Sequence, residues 1–129
     1  VSLVLVGTGT LTGGGAVLSD AAGTASFPSL SVNLAGSKQL TASSGLLPSV
    51  TSTAFTVSPA GAAALTFTVA PSNVVAGVAI APSVQVKISD AFGNGVPSKT
   101  VSLVLVGGGT LSGLTSVTSD AAGIAGSRG

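Results

Sequence analysis

The sequence predicts an all-β protein, a sandwich of short strands laid down in a repeating pattern. Three observations carry this reading. Val and Thr are frequent while Gly and Pro punctuate the chain, with turn signals about every eight to twelve residues, the spacing of short sandwich strands. No stretch carries the ~3.6-residue apolar period of a helix. The opening run VSLVLVG at residues 1–7 recurs letter for letter at residues 101–107.

The recurrence extends beyond that run. Residues 1–29 align with residues 101–129 without a gap, sharing VSLVLVG, GTL and SDAAG at the same offsets. The likeness fades only where Phe27 and Pro28 face Ser127 and Arg128. Self-similarity at a fixed spacing marks a repeat architecture, here with a period of about 100 residues. The chain is expected to be a section of a tandem array that starts and ends inside units. Residues 1–60 are expected to form the C-terminal part of one repeat and residues 61–129 the N-terminal part of the next. SPAGAAA at residues 58–64 joins them as a Pro/Gly/Ala connector. In this frame the first copy lacks strands equivalent to residues 64–89, and the second lacks those equivalent to residues 30–60.

The elements follow in order. VSLVLVG is a strand whose side chains alternate between two faces. In the second copy Val101, Leu103 and Leu105 are expected inward, leaving Ser102, Val104 and Val106 on the other face. Val4 and Val6 take the corresponding outer positions in the first copy. Apolar residues there suit contact between copies, so Val4, Val6, Val104 and Val106 are the candidate self-association residues. GTL is a short strand, and Asp20-Ala-Ala-Gly23 is a turn. SFPSLSVNL, SKQLTASS and STAFTVSP are three more candidate strands. In LTFTVAP, Leu65, Phe67 and Val69 alternate with Thr66 and Thr68, as in a half-buried strand ended by Pro71. In SVQVKISD, Val84, Val86 and Ile88 point one way and Gln85, Lys87 and Ser89 the other. DAFGNGVP at residues 90–97 is a turn in which Gly93 and the pair Asn94-Gly95 are expected to supply positive φ, with Pro97 restarting an extended segment. After the second VSLVLVG and GTL, SVTSD is a further strand and Asp120-Ala-Ala-Gly123 a second copy of the Asp20 turn.

The inventory of chemical groups excludes most function classes. The acids are Asp20, Asp90 and Asp120, and the bases are Lys38, Lys87, Lys99 and Arg128. A net charge of +1 offers no basic stripe for nucleic acid or an anionic membrane surface. There is no histidine or cysteine, so a nucleophile would lack its base, and no thiolate site or disulfide exists. The three aspartates all lie in turns rather than as a catalytic pair. No enzymatic activity and no cofactor are expected. GTGTLTGGG at residues 7–15 lacks the Gly-Lys-Ser/Thr of a phosphate loop and reads as turns. Asp90 and Asn94 are oxygen donors, but one acid is too few for an ordinary calcium site, and both suit bonding to their own turn.

The apolar runs are only a few residues long, so no membrane insertion is expected. VSLVLVG has no basic segment before it and does not read as a signal peptide, so an export signal is expected outside these residues. LLPSVTST at residues 46–53 could carry O-linked sugars, although Thr is also common on strand faces. No Asn-x-Ser/Thr acceptor occurs.

VQVKISDAFGNGVPSKTVSLVLVGGGTLSG followed by TSDAAGIA resembles the bacterial immunoglobulin-like repeats of the invasin and intimin type. Those repeats show a D-x-x-G-N-x-V-P turn, a G-G-x-L segment and a T-D-x-x-G-x-A turn. The matching residues here are Asp90, Gly93, Asn94, Val96 and Pro97, then Gly109 and Leu111, then Ser119, Asp120, Gly123 and Ala125. SKQLTASS is similar to a later strand of the family, with Leu40 where an aromatic residue is usual. The resemblance implies immunoglobulin-like sandwich repeats on a bacterial surface or secreted from the cell, serving as a stalk or fibre. The apolar strand faces and the missing strands add the expectation of other copies as partners, through those faces or by strand complementation. The alternative left by the resemblance is a carbohydrate- or receptor-binding adhesin module, for which Phe92 in the DAFGNGVP turn is the candidate contact.

Overall fold

A computed structural model describes residues 1–126, so Ser127, Arg128 and Gly129 lie outside the described residues. The chain is all-β, with strands only and no helix among the described residues, and every paired strand is antiparallel. It divides into two compact units, one spanning Val1–Ser58 and the other beginning at Pro59.

The first unit contains β1 (Ser2–Val6), β2 (Leu11–Thr12), β3 (Ser31–Val32), β4 (Gly36–Ser43), β5 (Val50–Thr51) and β6 (Phe55–Val57). β4 is its spine. One edge of β4 pairs with β1, setting Leu3 opposite Ala42 and Leu5 opposite Leu40. The other edge pairs first with β5 and then with β6. Between Thr41↔Thr51 and Lys38↔Phe55, three steps along β4 face four along its partner, so the register slips by one residue. Ser52 covers the slip: its backbone N–H donates to the Leu40 carbonyl and its hydroxyl accepts the Leu40 N–H. β2 and β3 form a separate short ladder. β5 falls in the segment that read from sequence as a place for O-linked sugars.

The second unit contains β7 (Ala64–Val69), β8 (Gln85–Ser89), β9 (Thr100–Ser102), β10 (Ser116–Thr118) and β11 (Ile124–Gly126). One sheet runs β11-β8-β7 and a second pairs β10 with β9. Val86 and Ala125 from the first sheet meet Val101 from the second, with Leu103 and Val117 packed against them. Two antiparallel sheets sharing one apolar layer are compatible with a β-sandwich. The buried apolar residues Val84, Val86, Val96, Val101 and Ala125 all belong to this unit.

Three strand expectations need correction. β7 forms, but Leu65 and Phe67 are exposed rather than half-buried, because no described residue of the unit covers that face and the register shifts between Phe67 and Val69. Ile88 is only partly buried, so the expected alternation is sharp only at Val84, just before β8, and at Val86 within it. Leu105 is exposed rather than inward, because the strand that begins at Thr100 stops at Ser102.

Candidate self-association surface

All three aspartates build the same turn. In each, the carboxylate Oδ1 accepts the backbone N–H groups two and four residues on. Asp20 accepts from Ala22 and Thr24, Asp90 from Phe92 and Asn94, and Asp120 from Ala122 and Ile124, all at 2.9–3.0 Å. The main chain closes each turn identically, with the glycine N–H three residues on donating to the aspartate carbonyl. That glycine is left-handed every time, with φ of 80° at Gly23, 87° at Gly93 and 79° at Gly123. This is a three-residue hairpin loop ending in a left-handed glycine. The shared pattern Asp-Ala-x-Gly relates Asp90 to the other two, a kinship the sequence reading missed.

The expectation that Asn94-Gly95 supplies positive φ is not met. Gly93 alone of the three takes that conformation. Gly95 is required for a different reason: a Cβ there would collide with the carbonyl oxygen of Ala122. Pro97 lies between the bridge from Ser89 to Gly95 and the start of β9.

Asp90 differs from its siblings in being buried. Its second oxygen accepts the Ala60 N–H and the Asn94 side-chain amide, both at 2.9 Å, so four donors converge on one carboxylate. Removal from water raises its pKa, but the bonds from the Asn94 side chain and from the Ala60, Asn94 and Phe92 backbones outweigh that, lowering it from 3.8 to about 2. These donors occupy the oxygens that a calcium ion would need. Because the folded chain favours the ionised form, protons bind preferentially to the unfolded chain. The stability contributed by Asp90 is therefore expected to be complete above the ordinary value of 3.8 and to decline as pH falls toward about 2. Urea midpoints measured across pH 5 to 2 should show this decline, and Asp90→Asn should lose it along with part of the plateau. A wild-type curve parallel to that of Asp90→Asn would refute the assignment.

The two copies of the repeated sequence have different surroundings. In the first, residues 3–6 pair with β4 and Leu11 pairs with Val32. In the second, the identical residues 103–106 join no ladder among the described residues and Leu111 lies in no strand. Val4 is 60% exposed against 85% at Val104, and Val6 is 43% exposed against 95% at Val106. All four candidate valines thus sit on open faces, and the pair without a partner strand is the more exposed.

Further along, the contrast reverses. Ser119 is buried, its hydroxyl donating to the Val96 carbonyl at 2.8 Å and accepting the Lys99 N–H at 2.9 Å. Its counterpart Ser19 is exposed. A Cβ on Gly123 would lie 2.6 Å from Gly95 Cα and 2.7 Å from the Ile88 carbonyl oxygen, whereas one on Gly23 would meet nothing within 4 Å. Each copy therefore keeps contacts that the other lacks. The first is satisfied toward the strands that follow it, the second toward those that precede it.

Lys38 is buried in the first unit, and its Nζ donates to the Thr8 hydroxyl at 2.9 Å. The residue matching Thr8 in the second copy is Gly108. Phe92, the candidate adhesin contact, stands exposed on the Asp90 turn. No group of three or more metal-ligating side chains occurs among the described residues, and no helix there is long and apolar enough to cross a membrane. Comparison with family models, curated proteins and solved structures gave no match to this chain.

Proposed function

We propose that this chain is a section of an array of immunoglobulin-like β-sandwich repeats, related to the invasin and intimin type, that forms a bacterial extracellular stalk or fibre. The observation that carries the reading is the complementary state of the two copies. One whole repeat would take strands like residues 64–97, a core like residues 101–126 and closing strands like residues 30–57. The first unit contains the last two parts and the second unit the first two, as expected when a 100-residue ruler is laid across units out of phase.

The composition supports the same reading. Few charges and many exposed apolar side chains give the surface little repulsion against its own copies. That suits a fibre more than a free monomer. Antibodies raised against the 129-residue chain should label surface fibres in immunogold micrographs of intact cells that make it. Label confined to the cytosol would overturn the reading. The adhesin alternative rests on Phe92 alone. It predicts a glycan-array signal that Phe92→Ala abolishes.

A further inference from the structure

We propose that the Asp90 carboxylate, oriented by the Asn94 side chain, is a latch that fastens the connector stretch at residues 59–63 to the second unit and shields it from proteolysis. The latch is independent of the repeat reading above, because it involves residues 57–96 alone.

The three aspartate turns separate what a turn needs from what Asp90 adds. Each closes through Oδ1, which accepts the N–H groups two and four residues on. Among the described residues, the carboxylates of Asp20 and Asp120 accept only from their own turns. The second carboxylate oxygen is therefore not needed to form the turn. At Asp90 that oxygen accepts the Ala60 N–H and the Asn94 side-chain amide, both at 2.9 Å. The position four residues on is Thr24 in the first turn and Ile124 in the third. Each of these bonds its aspartate carboxylate through the backbone N–H alone. Asn94 supplies the side-chain donor that sets this turn apart, and it meets the same oxygen that holds Ala60.

Adjacent residues hold both ends of the connector. Ala60 donates to Asp90, and the Ala63 N–H donates to the Ser89 carbonyl at 2.7 Å. Ala64 then opens β7 opposite Ser89. On the other side, β6 ends at Val57, opposite Gly36. Only Ser58 and Pro59 lie between Val57 and Ala60, and Pro fixes its own φ. Without the Asp90 bond, the untethered stretch would run from Ser58 to Ala62. Residues 60–63 are all exposed, so hydrogen bonds rather than burial keep this stretch in place. An exposed segment of small residues is a preferred site of nicking, and cutting follows how often the backbone opens. A bond to an ionised carboxylate is stronger than one between neutral groups, which suits it to hold such a segment closed.

Two variants test the latch in the full chain. Asn94→Thr installs the residue found at the same place in the Asp20 turn. Asp90→Asn keeps one acceptor oxygen for the turn and presents its amide to the Ala60 N–H. Amide exchange at Ala60 should quicken about five-fold in Asn94→Thr, where the aim is lost, and about ten-fold or more in Asp90→Asn, where the acceptor itself is gone. Elastase, which cuts after small apolar residues, should cleave within residues 60–63 faster in the same order. Ile88 and Val96 donate their N–H groups to the Gly123 and Ile88 carbonyls inside the unit, and in Asn94→Thr they should keep most of their protection. Parent-like exchange at Ala60 in Asn94→Thr overturns the proposal. So does loss of protection at Ile88 and Val96 together with Ala60 in that variant, which would make Asn94 a general support of the unit. Cleavage at residues 60–63 that stays at the parent rate while Ala60 opens would overturn the shielding.

Discussion

Gly123→Ala is expected to destabilise the second unit severely, while Gly23→Ala, at the same place in the same repeated sequence, is expected to cost far less. Both glycines are left-handed, at φ of 79° and 80°, which penalises any residue with a Cβ by about 1–2 kcal/mol. Only Gly123 adds crowding. A Cβ there would press on Gly95 Cα, the Ile88 carbonyl oxygen and the Val96 nitrogen, all backbone atoms of the neighbouring strand and turn. Backbone cannot rotate aside as a side-chain tip can, and overpacking of this kind adds about 1–3 kcal/mol. Gly95→Ala separates the two effects, because Gly95 is not left-handed yet its Cβ would collide with the Ala122 carbonyl. The chain has no Trp or Tyr, so hydrogen exchange read separately over each unit is the suitable measurement. Gly123→Ala and Gly95→Ala should raise exchange across β8 to β11, and Gly23→Ala should alter only its own turn. Comparable losses from Gly23→Ala and Gly123→Ala would contradict the packing described here.

Ser119→Ala is the second large effect. The Ser119 hydroxyl bridges the Val96 carbonyl and the Lys99 N–H. Its backbone accepts from Ser98 and donates to Lys99. Ser98 is itself left-handed, with φ of 60°, a conformation that costs a residue with a side chain about 1–3 kcal/mol and persists only when surrounding contacts hold it. Removing the hydroxyl leaves the buried Val96 carbonyl without that donor and the part-buried Lys99 N–H without that acceptor, which costs about 1–3 kcal/mol. Ser19→Ala removes the same atom from an exposed position and should stay within about 0.5 kcal/mol of the parent. Denaturant midpoints for the two single variants provide the test. A loss at Ser19 as large as that at Ser119 would mean that the first copy is packed like the second.

Much of the fold was legible because its signals are local. A turn that begins with aspartate and ends with left-handed glycine needs only its own five residues, so Asp20 and Asp120 could be recognised wherever they lay. Asp90 joins them for the same reason, although the denser DAFGNGVP drew attention to Asn94-Gly95 instead. The alternation of Val84 and Val86 also marked a buried face correctly. β11 escaped notice because it is three residues long and is defined by its pairing with β8. Leu65 and Phe67 misled for a related reason: alternation identifies a face that could be buried, but burial needs a second surface. The burial of Asp90 was invisible too, since the Ala60 N–H that completes its shell comes from thirty residues away.

VSLVLVG draws the line between these cases most clearly. Its recurrence, its alternation and the spacing of one hundred residues are properties of the letters alone, and they are sufficient to establish two copies of one segment. Whether that segment is a strand is not. Against β4 it pairs from Ser2 to Val6, and without an equivalent partner the same residues leave the ladder after Ser102. A β-strand is satisfied only by hydrogen bonds to another strand, so seven identical residues adopt whatever extent their neighbour supplies.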